Sequence, residues 1–380
     1  MAFFESYKNA YLNSGEGIWE DSTIFLYIFV VVLACVFANK AQSMKSISLK
    51  NSKVYFVFIG IILVLLSGLR GEKVGADTLQ YRVMWEYSRN SSYDFGSTEP
   101  MFLYINRAFS SIVPDGRFGV FFFSFITIFF VLSSIYNYKE RINFFLAISA
   151  FVCIFFLQSL NLIRIYLAAS FLLYCFRFLI EQENIKKYAL CICIASLIHT
   201  SSLVLLFPLA LLILYRYNKI IAGIAFIAIF AFCFSLKDLL FQYITVERYL
   251  SYMDSNESGR IGLLGYVELA PVIFVVIYIF KKRLKGFLYD VIVTFSSAAF
   301  LIRLLAYFII PFGRLSIHFI ALYVLLIPIF ITRIGHFSKK VFVKRLSLIY
   351  LLYLSMRLHL YFSTMIGPDE LMPYTVCFSE

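Results

Sequence analysis

The chain has 380 residues, of which 61% are hydrophobic and only 15% are charged, and its mean hydropathy is +0.84. A soluble domain carries about 25% charged residues, so this composition excludes an ordinary soluble protein. The net charge of +12 would suggest nucleic-acid binding in a soluble protein. Here we expect no nucleic-acid partner, because the positions of the charges follow a membrane pattern.

Apolar segments recur along the whole chain, and each has about the length that crosses a bilayer as a helix. They predict an all-α, polytopic integral membrane protein of about twelve transmembrane helices, with residues 1–380 forming a single membrane domain. The acidic start of the chain favours a retained first helix over a cleavable signal. The predicted spans are 22–39, 54–69, 117–137, 142–160, 162–180, 186–199, 201–217, 219–236, 262–280, 286–304, 311–334 and 341–362.

Basic residues divide between the two sides of the predicted membrane. Alternate connections hold 14 Lys and 6 Arg with four acids, whereas the opposite side holds 3 Lys, 11 Arg and 18 acids. The positive-inside rule places the Lys-rich connections in the cytoplasm. Both termini are then extracytoplasmic, as are the two longer connections, residues 70–116 and 237–261. Because long loops in a compact domain are commonly functional, we expect the chemistry on that side.

The first long loop predicts two short helices. Its glycines permit a tight turn before Asp77, which is placed as the N-cap of a helix that includes Tyr81. Capping alone is the alternative role for Asp77. Pro100 then starts a helix over about residues 100–112. Its apolar residues recur at intervals of three and four, so we expect it to lie in the membrane interface with Arg107 towards water.

The excess of arginine over lysine outside predicts an anion-binding site. A guanidinium group binds phosphate or carboxylate bidentately, and it stays charged when partly buried. Pairing with the acids on that side is the alternative. The strongest candidate is Arg164, because an ionisable residue inside a span usually faces a cavity or a partner. Arg314 and His318, four residues apart, share a helix face. The other candidates are Arg70, Arg303 and Arg248 with Tyr249.

His199 lies where the short sixth and seventh spans meet, either in a tight hairpin or beside a helix that does not fully cross. Its position and the adjacent Thr200 suggest proton transfer, against the alternative of a packing histidine.

The seven cysteines form no CxxC pair and indicate apolar packing. HExxH, Walker and GxSxG motifs are absent from the sequence, so an ATP-driven pump and a zinc protease are not expected, nor is a metal or other cofactor.

Several motifs, in order, resemble the EpsG/Wzy-type polysaccharide polymerases of bacterial envelopes. The resemblance runs from about residue 65 to 330, and residues 1–50 and 345–380 add nothing to it. The tyrosine that usually precedes the glycine is missing. The matching residues are Leu69-Arg70, Gly75, Asp77, Tyr81, Glu99-Pro100, Phe102, Arg164, Ala168-Ala169, Ala195, Ile198-His199, Ser201, Arg248-Tyr249 and Arg314.

The resemblance implies a lipid-linked glycosyltransferase of the bacterial cytoplasmic (inner) membrane. It would join oligosaccharide repeat units carried on undecaprenyl pyrophosphate at the outer membrane face, for O-antigen, capsule or exopolysaccharide, with a chain-length regulator as a partner besides the membrane lipids. Arg164 and Arg314, with Arg70 or Arg248, would then bind the pyrophosphate. Asp77, Glu99 or His199 would take the acceptor proton.

Three other functions compete with the polymerase. One is a flippase or transporter of the same lipid-linked glycan, which should show internal repeats and polar groups near the bilayer midplane. Another is a ligase or a different polyprenol-dependent glycosyltransferase, which would share the arginine site. A glycan acyltransferase is the third, and it would need a histidine near the cytoplasmic side. In the polymerase, the interfacial helix 100–112 and Tyr81 or Trp85 would hold sugar rings by stacking.

Overall fold

A computed structural model describes residues 20–45, 48–89, 98–235, 269–306, 312–336 and 338–378. These residues form helices joined by turns, with one isolated β-bridge. The helices are α1 Asp21–Lys45, α2 Leu49–Gly68, α3 Thr78–Tyr87, α4 Pro100–Ser110, α5 Gly116–Asn137, α6 Phe144–Asn161, α7 Ile163–Ile180, α8 Ile185–Ser196, α9 Leu206–Tyr217 after a 3₁₀ turn Thr200–Leu205, α10 Lys219–Ser235, α11 Ala270–Lys281, α12 Phe287–Leu305, α13 Phe312–Ile334 and α14 Lys340–Thr364.

Eight segments in the described part of the chain are long and apolar enough to cross a membrane. This confirms the prediction of an all-α, polytopic membrane protein. Helices α10 and α11 are apolar but shorter, and the 12-residue α8 ends at Ser196, three residues before the predicted end of the sixth span. The eight segments are α1, α2, α5, α6, α7, the 3₁₀ turn together with α9, α12 and α13.

The chain separates into two compact units. The first unit contains Met1–Arg177, Ile194–Thr200 and Ala321–Glu380, and the second contains Phe178–Cys193 and Ser201–Ile320. The single membrane domain stays a prediction. Residues 237–261, the second long loop, lie outside the described residues together with Arg248 and Tyr249.

In the first unit, α1 packs on α2 and α6, and α2 packs on α5. At one end of these helices the ammonium of Lys45 donates to the carbonyl of Ile142, 3.2 Å away. The other end of these helices holds the C-terminal end of α2, the helices α3 and α4, and the break between α6 and α7. The two Lys-rich connections, between α1 and α2 and between α5 and α6, therefore lie at the same end of the first unit. For these connections the structure agrees with the alternation of sides that the charges predict.

Helix α6 is irregular, with a π-helical turn at Val152–Phe156. It ends at Asn161, because Leu162 leaves the helical conformation with φ −93° and ψ 66°. Helix α7 starts at the next residue, which puts Arg164 in its first turn. A π-helical turn is often found near functional sites, and here it precedes the break that positions Arg164.

The segment after α14 packs against the first long loop, although the sequence predicts no role for it. Arg70 and Val376 form an antiparallel bridge, and the amide of Cys377 donates to the carbonyl of Leu69 at 2.9 Å. The amide of Gly75 donates to the backbone carbonyl of Glu370 at 2.8 Å. Gly75 has φ +94°, and a Cβ there would lie 2.8 Å from the Thr78 hydroxyl. The predicted glycine turn therefore forms, and the chain end holds it.

The second unit is built around α12, which packs against α9, α10 and α11. The guanidinium of Arg216 lies over the ring of Phe287, 4.9 Å from its centroid, and 3.8 Å from the carboxylate of Glu183. Both charges of this pair are exposed, so it adds little stability. The ion pair joins Arg216 and Glu183, which the sequence assigns to two different predicted cytoplasmic connections.

Candidate active site

Glu99 joins two of the predicted site residues within the first unit. Its Oε2 lies 2.8 Å from Nη1 of Arg164, and its Oε1 lies 2.7 Å from Nδ1 of His199. The backbone amide of Thr200 also donates to Oε1, at 3.1 Å. One carboxylate therefore holds a guanidinium on one oxygen and an imidazole on the other.

Local structure explains why these three side chains meet. Glu99 precedes Pro100 and is extended, with φ −62° and ψ 141°, as the residue before a proline usually is. The amide of Met101 donates to the carbonyl of Leu197 at 3.0 Å, which fixes the start of α4 beside the end of α8. His199 follows the last turn of α8. Each of the three therefore sits at a helix end.

The Glu99 carboxyl is held in its ionised form. Burial opposes ionisation, but the hydrogen bonds from His199 and from the Thr200 amide outweigh it and lower the pKa of Glu99 to about 2. A group with this pKa donates no proton near neutrality, and it is a weak base. Because Glu99 is charged, Nδ1 of His199 donates to it. The hydrogen bonds that the structure records for the His199 ring involve Nδ1, so Nε2 is left to accept a proton.

Arg164 has bonding capacity beyond its pair with Glu99. Its Nε is buried and has no hydrogen-bond partner among the described residues. The guanidinium lies 5.8 Å from the centroid of the Phe102 ring, and its charge partly offsets the effect of burial on the pKa of Tyr81. A buried donor without an acceptor requires an explanation, and a bound anion would supply one.

Two expectations for the aromatic residues of the first loop are wrong. Tyr81 is only 6% exposed and Trp85 is fully buried, so neither can stack on a sugar ring. The Trp85 indole instead donates to the carbonyl of Val113 at 2.8 Å, and Tyr81 packs edge-on against Phe102. Burial raises the pKa of Tyr81 above its ordinary value. Both side chains are core residues because the loop folds inward.

Helix α4 also differs from its predicted form. It buries Phe102, Asn106 and Ser110, whereas Tyr104 on the helix and Ile112 just after its end are more than 70% exposed. The buried stripe is therefore part polar, and the predicted apolar face is split between the protein and its surroundings. Arg107 is exposed, as expected for a residue towards water, and its Nε donates to the carbonyl of Ser88.

Asp77 lies at the N-cap position of α3, but its side chain makes no capping hydrogen bond. Its backbone amide donates instead to Oδ1 of Asn161, at 3.0 Å. The amide nitrogen of Asn161 donates in turn to Oδ1 of Asp369 at 2.8 Å, and the Tyr361 hydroxyl donates to Oδ2 of Asp369 at 2.6 Å. Asp77 thus belongs to a second polar network, built by the chain end, that the sequence does not predict.

Asp369 is the centre of this second network. It is buried, and burial raises the pKa of its carboxyl although Tyr361 and Asn161 both donate to it. The only sequence signal was an acid placed after the last span, and no motif or periodicity marks such a position. Asn161 precedes Arg164 by less than one helical turn, so the network anchors the chain just before the site.

We expect Asp369→Ala to destabilise the first unit by about 1–3 kcal/mol, because it leaves Asn161 and Tyr361 without their acceptor. The thermal unfolding midpoint of the purified protein in detergent measures this. Glu370→Ala is the matched control, since Glu370 is the next residue along the chain and is exposed. Equal midpoints for the two variants would contradict the anchoring role.

Arg70 is satisfied within the protein. It is 1% exposed, and burial lowers its pKa to about 10. All three guanidinium nitrogens donate to protein oxygens and the side chain is buried, so we leave Arg70 out of the proposed phosphate site. The acceptors are the carbonyls of Ser67, Val74 and Leu160 and the hydroxyls of Thr78 and Ser124.

We expect Arg70→Met to lower the stability of the protein by at least about 1–3 kcal/mol, because several buried acceptors lose their donor. The measurement is again the unfolding midpoint, together with the yield of folded protein. Normal stability with loss of polymer synthesis would contradict this structural role and return Arg70 to the phosphate site.

The remaining predicted cations lie in the second unit. Nη1 of Arg303 donates to the hydroxyl of Ser316 at 3.2 Å. His318 is 1% exposed, and its Nε2 lies 2.8 Å from the hydroxyl of Ser201. Arg314 is exposed, so the predicted pair on α13 is divided between the surface and the interior. A substrate role for these residues stays a prediction.

Metal ligands do not converge in the described part of the chain, where no group of three or more His, Cys, Asp or Glu side chains could hold an ion. The cysteines there are free thiols, six of them in the membrane-spanning helices or in α8 and α10. The positively charged group that the structure places at the Glu99 carboxylate is the Arg164 guanidinium.

Comparison with known proteins identifies a family. The model described as the EpsG family matches residues 53–376, which is most of the chain. The matched region includes the segment after α14, beyond the limit of about residue 330 that the sequence motifs indicate. No curated protein and no solved structure matches the chain.

Proposed function

This chain belongs to the EpsG family of Wzy-type polysaccharide polymerases, and from that premise we propose that it joins oligosaccharide units carried on undecaprenyl pyrophosphate. Glycosyl transfer would run from the pyrophosphate lipid to the nonreducing end of an acceptor unit. The observation that carries this proposal is the Glu99 carboxylate bound to both Arg164 and His199. It sets an anion-binding group beside a proton acceptor.

His199 is the proposed general base. Glu99 fixes the tautomer in which Nδ1 carries the hydrogen and Nε2 carries a lone pair, as a carboxylate does for the histidine of a serine hydrolase. Nε2 takes the proton of the acceptor hydroxyl while the oxygen of that hydroxyl bonds to the anomeric carbon of the donor sugar. Glu99 is a positioning residue in this scheme, because it acts through His199.

Arg164 is the proposed partner of the leaving group. The bond between the anomeric carbon and the phosphate oxygen breaks, and the pyrophosphate lipid gains one negative charge. The guanidinium stabilises this charge as it develops, with its buried Nε as one donor. A preformed cation in a partly buried site fits such chemistry, because little reorganisation is then needed during the reaction.

The test is a gel of surface glycan and lipid-linked glycan from a host deleted for this gene and complemented with wild-type protein or with Arg164→Ala. We expect a ladder of glycan chains from the wild type, and single repeat units still displayed at the surface from the variant. Loss of all surface glycan, with units trapped inside, would point to a flippase. An unchanged ladder in the deleted host would leave modification of the glycan as the function.

We propose that the Glu99 end of the first unit faces the periplasm or cell exterior, because the Lys-rich connections gather at its other end. A membrane-impermeant thiol reagent should then label Ser111→Cys in intact cells but label Lys50→Cys only after lysis. Both positions are exposed, and they lie at the two ends of the unit. The opposite labelling pattern would invert the topology.

A further inference from the structure

Helices α2 and α5 leave a groove between them with a volume of about 590 Å³. Leu65 and Phe121 line one end, and Lys53 and Asn137 line the other. Apart from Ser133, the walls between these ends are apolar. Because both helices belong to membrane-spanning segments, the surrounding medium is lipid, and an apolar groove there suits a hydrocarbon chain.

Donors without acceptors mark the Lys53 end. The amide nitrogen of Asn137 is buried and has no hydrogen-bond partner among the described residues. Lys53 is exposed and makes no ion pair with any residue that the structure describes. Tyr136 lies beside them in the same lining. A buried donor left unpaired requires an acceptor from elsewhere, and the phosphate or ester oxygens of a lipid headgroup are acceptors.

The length of the groove matches one membrane leaflet. From Lys53 to Leu65 a helix rises about 18 Å at 1.5 Å per residue. Half of a hydrocarbon core of about 30 Å is about 15 Å. A phospholipid acyl chain in one leaflet fits this depth, whereas a long polyprenyl chain exceeds it. The headgroup would then sit at Lys53.

We propose that this groove binds the acyl chain of an anionic phospholipid, whose headgroup takes hydrogen bonds from Lys53 and Asn137. The Lys-rich end of the unit is predicted to face the cytoplasm, where anionic lipids attract basic residues. Gly60 forms part of the wall, and a Cβ there would come within 3.2 Å of a Leu132 methyl group. The site goes beyond the proposed polymerase activity and does not depend on it.

Labelling with a photoreactive phospholipid tests the proposal. Full-length protein in nanodiscs receives phosphatidylglycerol or phosphatidylcholine with a diazirine in one acyl chain, and mass spectrometry maps the labelled peptides. The phosphatidylglycerol probe should label peptides of α2 and α5 in wild type. Labelling should fall about fivefold in Lys53→Gln, since one basic residue near the membrane surface contributes about that factor.

Lys50→Gln is the control, because Lys50 is exposed on the same helix but does not line the groove. It should label as wild type does, whereas Gly60→Leu should reduce labelling by filling the groove. Equal labelling by the phosphatidylcholine probe would overturn the proposal. So would displacement of the probe by undecaprenyl phosphate but not by unlabelled phosphatidylglycerol, which would make the groove a site for the substrate's lipid tail.

Discussion

A Glu99→Gln variant is expected to form polymer about 10²–10⁴ times more slowly than wild type, although the side chain keeps nearly the same shape. The charge of Glu99 holds His199 with Nδ1 protonated and stabilises the imidazolium that forms when Nε2 takes a proton. An amide has no charge, and its NH₂ group can turn towards Nδ1 and favour the wrong tautomer. The rate is measured with purified protein and a lipid-linked repeat unit, normalised to folded protein.

A double variant separates positioning through His199 from a general loss of structure. His199→Ala alone should be as slow as Glu99→Gln or slower. If Glu99 acts through His199, adding Glu99→Gln to His199→Ala should slow the reaction little further, because residues that act as a unit are not additive. Multiplication of the two effects would show that Glu99 works independently of the imidazole.

The low pKa of Glu99 sets the pH range in which its carboxyl stays ionised, and therefore the range in which proteins with and without this carboxylate should be compared. The folded protein holds the pKa at about 2, below the ordinary value of 4.5. The stability that comes from the charge is therefore fully present above about pH 4.5 and is lost as the pH falls towards 2. In a His199→Ala background, where no imidazole titrates beside Glu99, we expect the difference in unfolding midpoint caused by Glu99→Gln to be constant from pH 5 to 9. A difference that changes within this range would place the pKa of Glu99 elsewhere.

The sequence predicts the parts of the site but not how they assemble. Pro100 fixes an extended residue before it, the polar break around Thr200 exposes His199, and Arg164 is notable as a cation within an apolar run. Each of these signals is local. The pairing of Glu99 with residues 65 and 100 positions further along the chain depends on how helices pack, which no local pattern records.

The wrong predictions about the site residues have a related cause. A cation after a span has the same sequence pattern whether it binds a phosphate or ties down a loop, so the sequence could not exclude Arg70 from the phosphate site. Aromatic residues in a loop suggest sugar binding only if the loop is open, and Tyr81 and Trp85 are instead buried. Asp369 acquires its role through Asn161, more than 200 positions away in the chain.

Arg164→Lys is expected to reduce polymerisation about 10²–10³-fold, the range for loss of one donor that stabilises charge in a transition state. Lysine keeps the positive charge and can still reach Glu99, but it carries one nitrogen in place of a planar fork. The donor now supplied by the buried Nε would be missing. Because the lost interaction strengthens as the pyrophosphate leaves, kcat should fall more than KM rises.

Arg117→Lys is the matched control for this prediction. Arg117 pairs with Asp115 at 2.7 Å, but both side chains are at least 40% exposed, and such a pair contributes only about 0–1 kcal/mol. The control should therefore form the wild-type ladder. If Arg164→Lys does so as well, while Arg164→Ala does not, charge alone is sufficient and the fork geometry has no part in catalysis. A full ladder from Arg164→Ala would remove Arg164 from the phosphate site, and the buried Nε would then need another acceptor.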